Sequence, residues 1–383
     1  MNGLPEIRIG LIGYGFIGKV HTLAYRSLPL IYDPMPAYVK LVGVSAASRE
    51  SVQKAVDQAG YEFGTTDWRE LIAREDIEVI DCCVPNHLHY EVVMAALRAG
   101  KHVYCDKPLA ANLTQAREML IEAQRSGVQH RMTFHLRFVP ALMRAKQLVE
   151  EGFLGRVFSF RACYLHSGYI DPNRPMSWRL EAAAGGGALV DMGSHVLDLL
   201  RYLLGEFAEV FAVTETFIKE RPLPGQPNQR ARVMVDDLAV LTLRTVSGAF
   251  GTVEASRLAT GTNDEMRIEI HGELGALRFN LMDPNWLYVF DAREPEAPLG
   301  GNRGFKAIES VQRYPAPAVL PGPKFAVGWL RYHIASQFDF IASLAKGQPS
   351  PPDFEDGVRV QEVMEAAYIS ARERRWVSLP LPT

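Results

Sequence analysis

Asp191 and His195 stand four residues apart, directly after the run Gly185-Gly186-Gly187. On a helix that spacing puts both side chains on one face, where a carboxylate can fix the orientation and tautomer of an imidazole and leave its other nitrogen to take a proton. The glycine run allows a ligand to approach the backbone closely. Lys107 joins them as a third candidate. It precedes Pro108, which biases its backbone away from helical geometry and would hold the ammonium out at a strand end. A proton acceptor, an orienting carboxylate and a cation that stabilises developing alkoxide are what hydride removal from a secondary alcohol requires. Taken singly, these residues read equally well as a helix N-terminal acid, a surface histidine and a solvated lysine before a turn. Their chemistry therefore depends on whether the chain also supplies a hydride carrier.

A site for one is written near the N-terminus. The apolar run Ile7 to Ile12 reads as a buried parallel strand and leads into Gly13-Tyr14-Gly15-Phe16-Ile17-Gly18, followed by a helical pattern at Ile17, Val20, His21, Ala24 and Leu28. Gly13 permits the turn, Gly15 lets backbone N–H groups approach a pyrophosphate, and Gly18 lets helix and strand pack closely. A second strand, Lys40 to Ser45, ends where such folds place an acid on the adenosine ribose. The chain has Ser45-Ala46-Ala47-Ser48-Arg49 instead, and Ser48 with Arg49 could hold a 2′-phosphate. The balance favours NADP over NAD, although Ser48 also reads as a helix N-cap.

Further units follow the same rhythm. Residues 29–38 read as a proline-punctuated connection and Thr66 to Ile72 as a short capped helix. Val79 to Val84 and His102 to Cys105 read as strands, and helical patterns cover Glu91 to Gly100 and Leu113 to Ser126. Alternating strands and helices predict a doubly wound parallel sheet over 1–135, with ligands at the carboxyl ends of its strands. From residue 136 the pattern changes to alternating strands with Gly, Pro and Asn turns, the clearest being Arg156–Tyr164, Glu209–Thr216, Ala239–Arg244, Phe250–Ser256, Arg267–His271 and Leu277–Phe279. The fold class is therefore α/β, an N-terminal Rossmann sheet joined to an α+β domain at 136–383 with a mostly antiparallel open sheet.

Of the 383 residues 48% are hydrophobic and 22% charged, with a formal charge of −3 and no basic block. That balance predicts a small-molecule partner rather than nucleic acid or membrane. No leader-like or membrane-spanning run is evident, so the expected compartment is the cytoplasm. Cys82, Cys83, Cys105 and Cys163 match no zinc framework even with His87 and His89 nearby, and read as reduced thiols with no metal.

Four segments in order, Gly13 to Gly18, Val84 to His89, Ala99 to Pro108 and Gly185 to His195, resemble the glucose–fructose oxidoreductase/inositol dehydrogenase/MocA family across nearly the whole chain. The resemblance implies dehydrogenation or reduction of a sugar, anhydrosugar or cyclitol carbon, with Lys107 polarising the oxygen, Asp191 assisting and His195 as acid/base. It implies dinucleotide contacts from Gly13, Gly15, Phe16, Ile17, Gly18, Ser45, Ser48, Arg49, Pro85, Asn86, His89, Asp106, Lys107, Trp178 and Arg179. Substrate contacts would come from Lys107, Tyr164, His166, Asp191 and His195, with a homodimer or homotetramer as the assembly. Position 106 departs from the family, whose triplet usually begins with Glu; the shorter Asp106 could alter the contact to the nicotinamide ribose. Residues 29–38 with Thr65 to Arg69 resemble members acting on anhydrosugars such as levoglucosan. A sugar sensor without turnover and redox-neutral glycoside cleavage with retained NAD are the competing readings.

Overall fold

Strands buried on both faces need near-continuous apolar runs, and the first of two structural units is built on such strands. The structure is a computed structural model and describes residues 3–382. Six parallel strands, β1 (Glu6–Ile12), β2 (Tyr38–Ser45), β3 (Phe63–Thr65), β4 (Val79–Cys82), β5 (His102–Cys105) and β6 (His130–Met132), form one sheet in the order β3-β2-β1-β4-β5-β6. The order reverses between β1 and β4, the position at which such sheets bind ligands. Helices α1 (Phe16–Ile31), α2 (Arg49–Ala59), α3 (Trp68–Ala73), α4 (Asn86–Arg98) and α5 (Leu113–Ser126) connect the strands.

The prolines of residues 29–38 do not keep helix out. Pro29 lies inside α1, whose last turn continues to Ile31 because Leu28 and Ile31 are buried in the core with Tyr32 and Ala37. Tyr32 stacks on Phe338 at 3.6 Å, so this segment has a packing role. The division at residue 135 is also corrected. The first unit runs through Phe138 and takes back Tyr314–Gly322 and Gly328–Gln361, so the second is not the continuous stretch 136–383. Buried polar contacts explain the return of α8 (Trp329–Lys346). Arg131 on β6 is almost fully buried and donates to Asp339 at 2.6 Å, while Tyr104 and Ser336 hydroxyls meet at 2.8 Å.

The second unit holds α6 (Pro140–Glu150), β7 (Val157–Leu165), a π-helix at Leu189–Gly193, α7 (Ser194–Leu204) and the strands β8 (Phe207–Glu215), β9 (Glu220–Leu223), β10 (Gln226–Arg232), β11 (Leu238–Thr245), β12 (Phe250–Ser256), β13 (Glu265–Gly272), β14 (Gly275–Asn280), β15 (Trp286–Asp291), β16 (Lys306–Glu309) and β17 (Val377–Ser378). Nine of them form a sheet in the order β16-β15-β14-β13-β7-β12-β11-β8-β17. Its neighbours are antiparallel except β7 and β12, which run parallel. Period-2 alternation buries Leu241, Leu243, Val253 and Ala255 on one face and leaves Val240 and Phe250 exposed. The π-helix lies against β7 and β12, and α7 lies against β7. The long loop of residues 294–323 contains β16. No helix of the described residues is long and apolar enough to cross a membrane.

Candidate active site

Gly13 ends the first strand at φ +103, and a Cβ on it would lie 2.6 Å from the carbonyl carbon of Cys83. Only glycine suits that turn, which is pinned by the Gly13 N–H donating to the Ser45 carbonyl at 2.8 Å. A Cβ on Gly18 would collide with the Gly13 carbonyl oxygen. Gly15 is different. Nothing lies within 4 Å of a Cβ placed there, and as the N-cap of α1 it offers no side-chain acceptor to the helix's first N–H groups. The backbone at the helix start is thus unobstructed where a side chain would stand, which fits a dinucleotide pyrophosphate at the helix N-terminus. Phe16 is exposed beside them and stacks on Trp329 with centroids 5.8 Å apart, while Ile17 is half-buried.

Beneath this turn His21 is fully buried, its Nδ1 2.9 Å from Asp81 Oδ1, and the Cys83 thiol donates to the same carboxylate at 3.1 Å. Burial works against the imidazolium, but the Asp81 carboxylate outweighs it and leaves the His21 pKa raised. The pair ties α1 to β4.

The other strand ends carry the remaining expected contacts of this unit. Ser45 is buried and holds Gly13 through its carbonyl. The Ser48 hydroxyl caps α2 by accepting from the Ser51 N–H at 3.2 Å, with Arg49 exposed as the first helical residue. Pro85 is the N-cap of α4 and Asn86 its buried first residue. His89, expected at the cofactor, is instead turned into the fold: Nδ1 lies 2.9 Å from the Pro108 carbonyl and Nε2 2.9 Å from the Val84 carbonyl. Both ring nitrogens face carbonyl oxygens beyond two strand ends, and burial lowers its pKa, so the neutral ring donates to one of the two. Asp106 and Lys107 are half-buried, the Asp106 N–H donating to the Cys82 carbonyl at 2.9 Å.

Two groupings have the ligand types of a metal site, Cys82/His89/Cys105 and His21/Asp81/Cys83, with ligand atoms within 4.8 Å of one another. Sequence spacing did not reveal them, because their members come from separate elements. In each the histidine already hydrogen-bonds within the fold, which accounts for the grouping without an ion.

In the second unit Asp191 and His195 do not sit on one continuous α-helix. Asp191 lies in the π-helix and His195 is the second residue of α7. Such wide turns recur at functional sites. Asp191 Oδ2 accepts from Arg257 at 3.2 Å and lies 3.5 Å from Arg179 Nε. The His195 ring stands 5.8 Å from the Tyr164 ring. Tyr164 donates its hydroxyl to Asp264 at 2.7 Å, and His166 Nε2 meets the same carboxylate at 2.8 Å. Burial and the Asp264 charge push the Tyr164 pKa well up, keeping it a neutral donor. Trp178 and Arg179 form a short 3₁₀ turn, the guanidinium 4.3 Å over the indole.

Gly186 and Gly187 of the glycine run serve this unit's own packing. A Cβ on Gly186 would collide with the Arg179 carbonyl, and one on Gly187 (φ +124) would lie 2.5 Å from Asp236 Oδ1. Asp236 accepts from the Leu189 N–H at 2.8 Å and from the Tyr368 hydroxyl at 2.7 Å, anchoring the start of the π-helix.

Comparison with known proteins identifies the architecture. Residues 7–134 match the oxidoreductase family with an NAD-binding Rossmann fold, and residues 142–278 match the GFO/IDH/MocA C-terminal domain. This protein belongs to the Gfo/Idh/MocA oxidoreductases. Among Gfo/Idh/MocA relatives, levoglucosan dehydrogenase of Pseudarthrobacter phenanthrenivorans is 37% identical over 390 residues, taking in 98% of this chain and 99% of that protein. A solved levoglucosan dehydrogenase in complex with NADH and levoglucosan has a TM-score of 0.93 at 38% identity, covering 98% of this chain and 100% of that one. Myo-inositol 2-dehydrogenase of Thermotoga maritima is 28% identical, over 97% of this chain and 98% of its own length.

Within this Gfo/Idh/MocA chain, sequence reasoning missed Arg257, Asp264, Asp236 and Trp329. Arg257 and Asp264 flank strand ends, a position common to site residues of sheet domains. Nothing in their local sequence marks them, because their partners lie far away in the chain.

Proposed function

We propose that this protein is a nicotinamide-dependent dehydrogenase that oxidises a secondary alcohol carbon of a sugar, anhydrosugar or cyclitol, with levoglucosan-like anhydrosugars the leading class. Its likeness over full length to levoglucosan dehydrogenase supports the class. The observation that carries the reading is the polar wall beside His195. Tyr164 and His166 converge on the half-exposed Asp264, presenting hydroxyl-binding groups next to an imidazole. A polyhydroxylated substrate needs such a wall, since hydrogen-bonding sites discriminate by leaving their own groups unpaired with the wrong ligand.

A bound nicotinamide supplies the hydride acceptor. His195 takes the hydroxyl proton, Lys107 stabilises the oxygen as charge develops, and Asp191 assists as a carboxylate held by two guanidinium groups. Gly13, Gly15 and Gly18 form the pyrophosphate cradle. For the adenosine end we propose that NADP is accepted, with Arg49, exposed at the start of α2, on the 2′-phosphate. We place the enzyme in the cytoplasm, supported by four free cysteines. We propose a homodimer or homotetramer that covers the exposed sheet residues Phe158, Val240 and Phe250.

Near-ultraviolet absorbance of reduced nicotinamide, with NAD or NADP against levoglucosan, inositols, aldoses and glucosides, tests the reading. Turnover of a ring polyol is expected. Tight nucleotide binding with no reduction across the panel would overturn it in favour of a sensor or a redox-neutral hydrolase.

A further inference from the structure

Arg257 follows β12 and its side chain is almost completely buried. An interior guanidinium needs compensation, and this one finds it on the turn that carries Asp191. One amino group donates to the Arg179 carbonyl at 2.9 Å; the other donates to the Gly187 carbonyl at 2.8 Å and to Asp191 Oδ2 at 3.2 Å. The Tyr169 ring lies 4.8 Å from the guanidinium carbon. Gly187 and Asp191 are the two ends of one α-turn that leads into the π-helix, since the Asp191 N–H donates to the Gly187 carbonyl at 3.0 Å. Arg257 therefore grips both ends of that turn, and through the Arg179 carbonyl it also holds the segment whose side chain is the second cation on Asp191.

We infer that Arg257 is the positioning residue of this site: it fixes the Asp191 carboxylate and the turn that leads into the π-helix before His195, and touches neither substrate nor cofactor. This rests on the proposed roles of Asp191 and His195. A planar fork with fixed donor directions suits the task, and a lysine keeps the charge but cannot grip three acceptors in the same geometry. Arg257 also contrasts with Arg179, which is half-exposed and whose loss leaves the turn's backbone carbonyl bond in place.

Four measurements on the full chain test this. In Arg257→Met, amide hydrogen exchange should rise in peptides covering residues 185–193 while the parallel-sheet unit keeps wild-type protection. kcat should fall about 100-fold, the cost of a small misplacement of reacting groups, with KM for nucleotide unchanged. In an Asp191→Asn background the same substitution should cost about 3-fold or less, because the two act as one unit. Arg257→Lys should recover about a tenth of wild-type kcat and covers the case in which the methionine variant does not fold. Unchanged exchange at 185–193 in both variants, or an equal kcat loss with and without Asp191, would overturn the inference. Absence of polyol turnover by the wild-type protein would instead overturn the proposed function, and the exchange measurement would still decide the role of Arg257.

Discussion

The turn after β1 takes its shape from backbone, whereas the turn before α7 takes its shape from buried charge. At Gly13 and Gly18 a single added carbon would strike main chain, and no side chain is needed to hold the loop. At residues 186–191 glycines are again required, Gly186 by the Arg179 carbonyl and Gly187 by the Asp236 carboxylate, but here ionic side chains also hold the turn: Arg257 on Gly187 and Asp191, and Asp236 on Leu189. On the proposed function the difference follows from what each region would handle. A pyrophosphate is bound by N–H groups that sequence changes cannot alter, while proton transfer needs a carboxylate and an imidazole held in one geometry. The price of the second solution is sensitivity to charge changes far away in the chain.

The contrast can be broken in order of expected effect. His195→Ala or Lys107→Ala should lower kcat about 10²- to 10⁴-fold while NADH fluorescence still reports binding. Loss of nucleotide binding instead would mean that these residues serve the cofactor. Gly13→Ala should destabilise by about 2–4 kcal/mol in urea titration, because both φ and the Cys83 backbone oppose it. Gly15→Ala should change stability by about 0.5 kcal/mol or less yet weaken dinucleotide binding, since its Cβ would enter the open space at the helix start. Equal destabilisation of the two would contradict the backbone account.

A third prediction concerns pH. Burial, with His135 and His21 nearby, pushes His333 well below the usual histidine value. Its contribution to stability is therefore full above about pH 6.5, the unfolded value, and is lost as pH falls from there toward its folded value. His21 has the opposite sign: raised by Asp81, its contribution is present below the ordinary value and lost as pH rises through the folded one. Replacing His333 with Phe should shrink the acid-side loss by about 1 kcal/mol, read as the difference in urea midpoint between pH 5 and pH 7.5. An unchanged acid limb would place the titrating group elsewhere. A local effect is expected at Arg49, where Arg49→Ala should weaken NADP several-fold, by about 1 kcal/mol, and leave NAD alone.

Much of this was legible in sequence where the rules are local. The strand, turn and helix of residues 7–28 could be read because glycine spacing and apolar period act within one element, and Ser48 did cap its helix. The strands of the second unit were found to within a residue or two where alternation was clean, as at β12. Failures came where distant partners decide. The burial of His89 between the Val84 and Pro108 carbonyls was not legible, because Pro108 lies far along the chain. Pro29 looked like a break, yet burial of Leu28 and Ile31 outweighed the lost hydrogen bond. The entry to the π-turn at Leu189–Gly193 has no local sequence signature, because the partners at its start, Arg257 on the Gly187 carbonyl and Asp236 on the Leu189 N–H, lie dozens of residues later.

The most direct test of the central claim is the fate of the hydrogen on the oxidised carbon. Carbon-deuterated levoglucosan or myo-inositol, incubated with the enzyme and NAD or NADP, should yield reduced nicotinamide carrying deuterium by mass spectrometry, at a rate slower than with the protiated polyol. Product formed with no deuterium on the nicotinamide, or no product beside intact nucleotide binding, would contradict it.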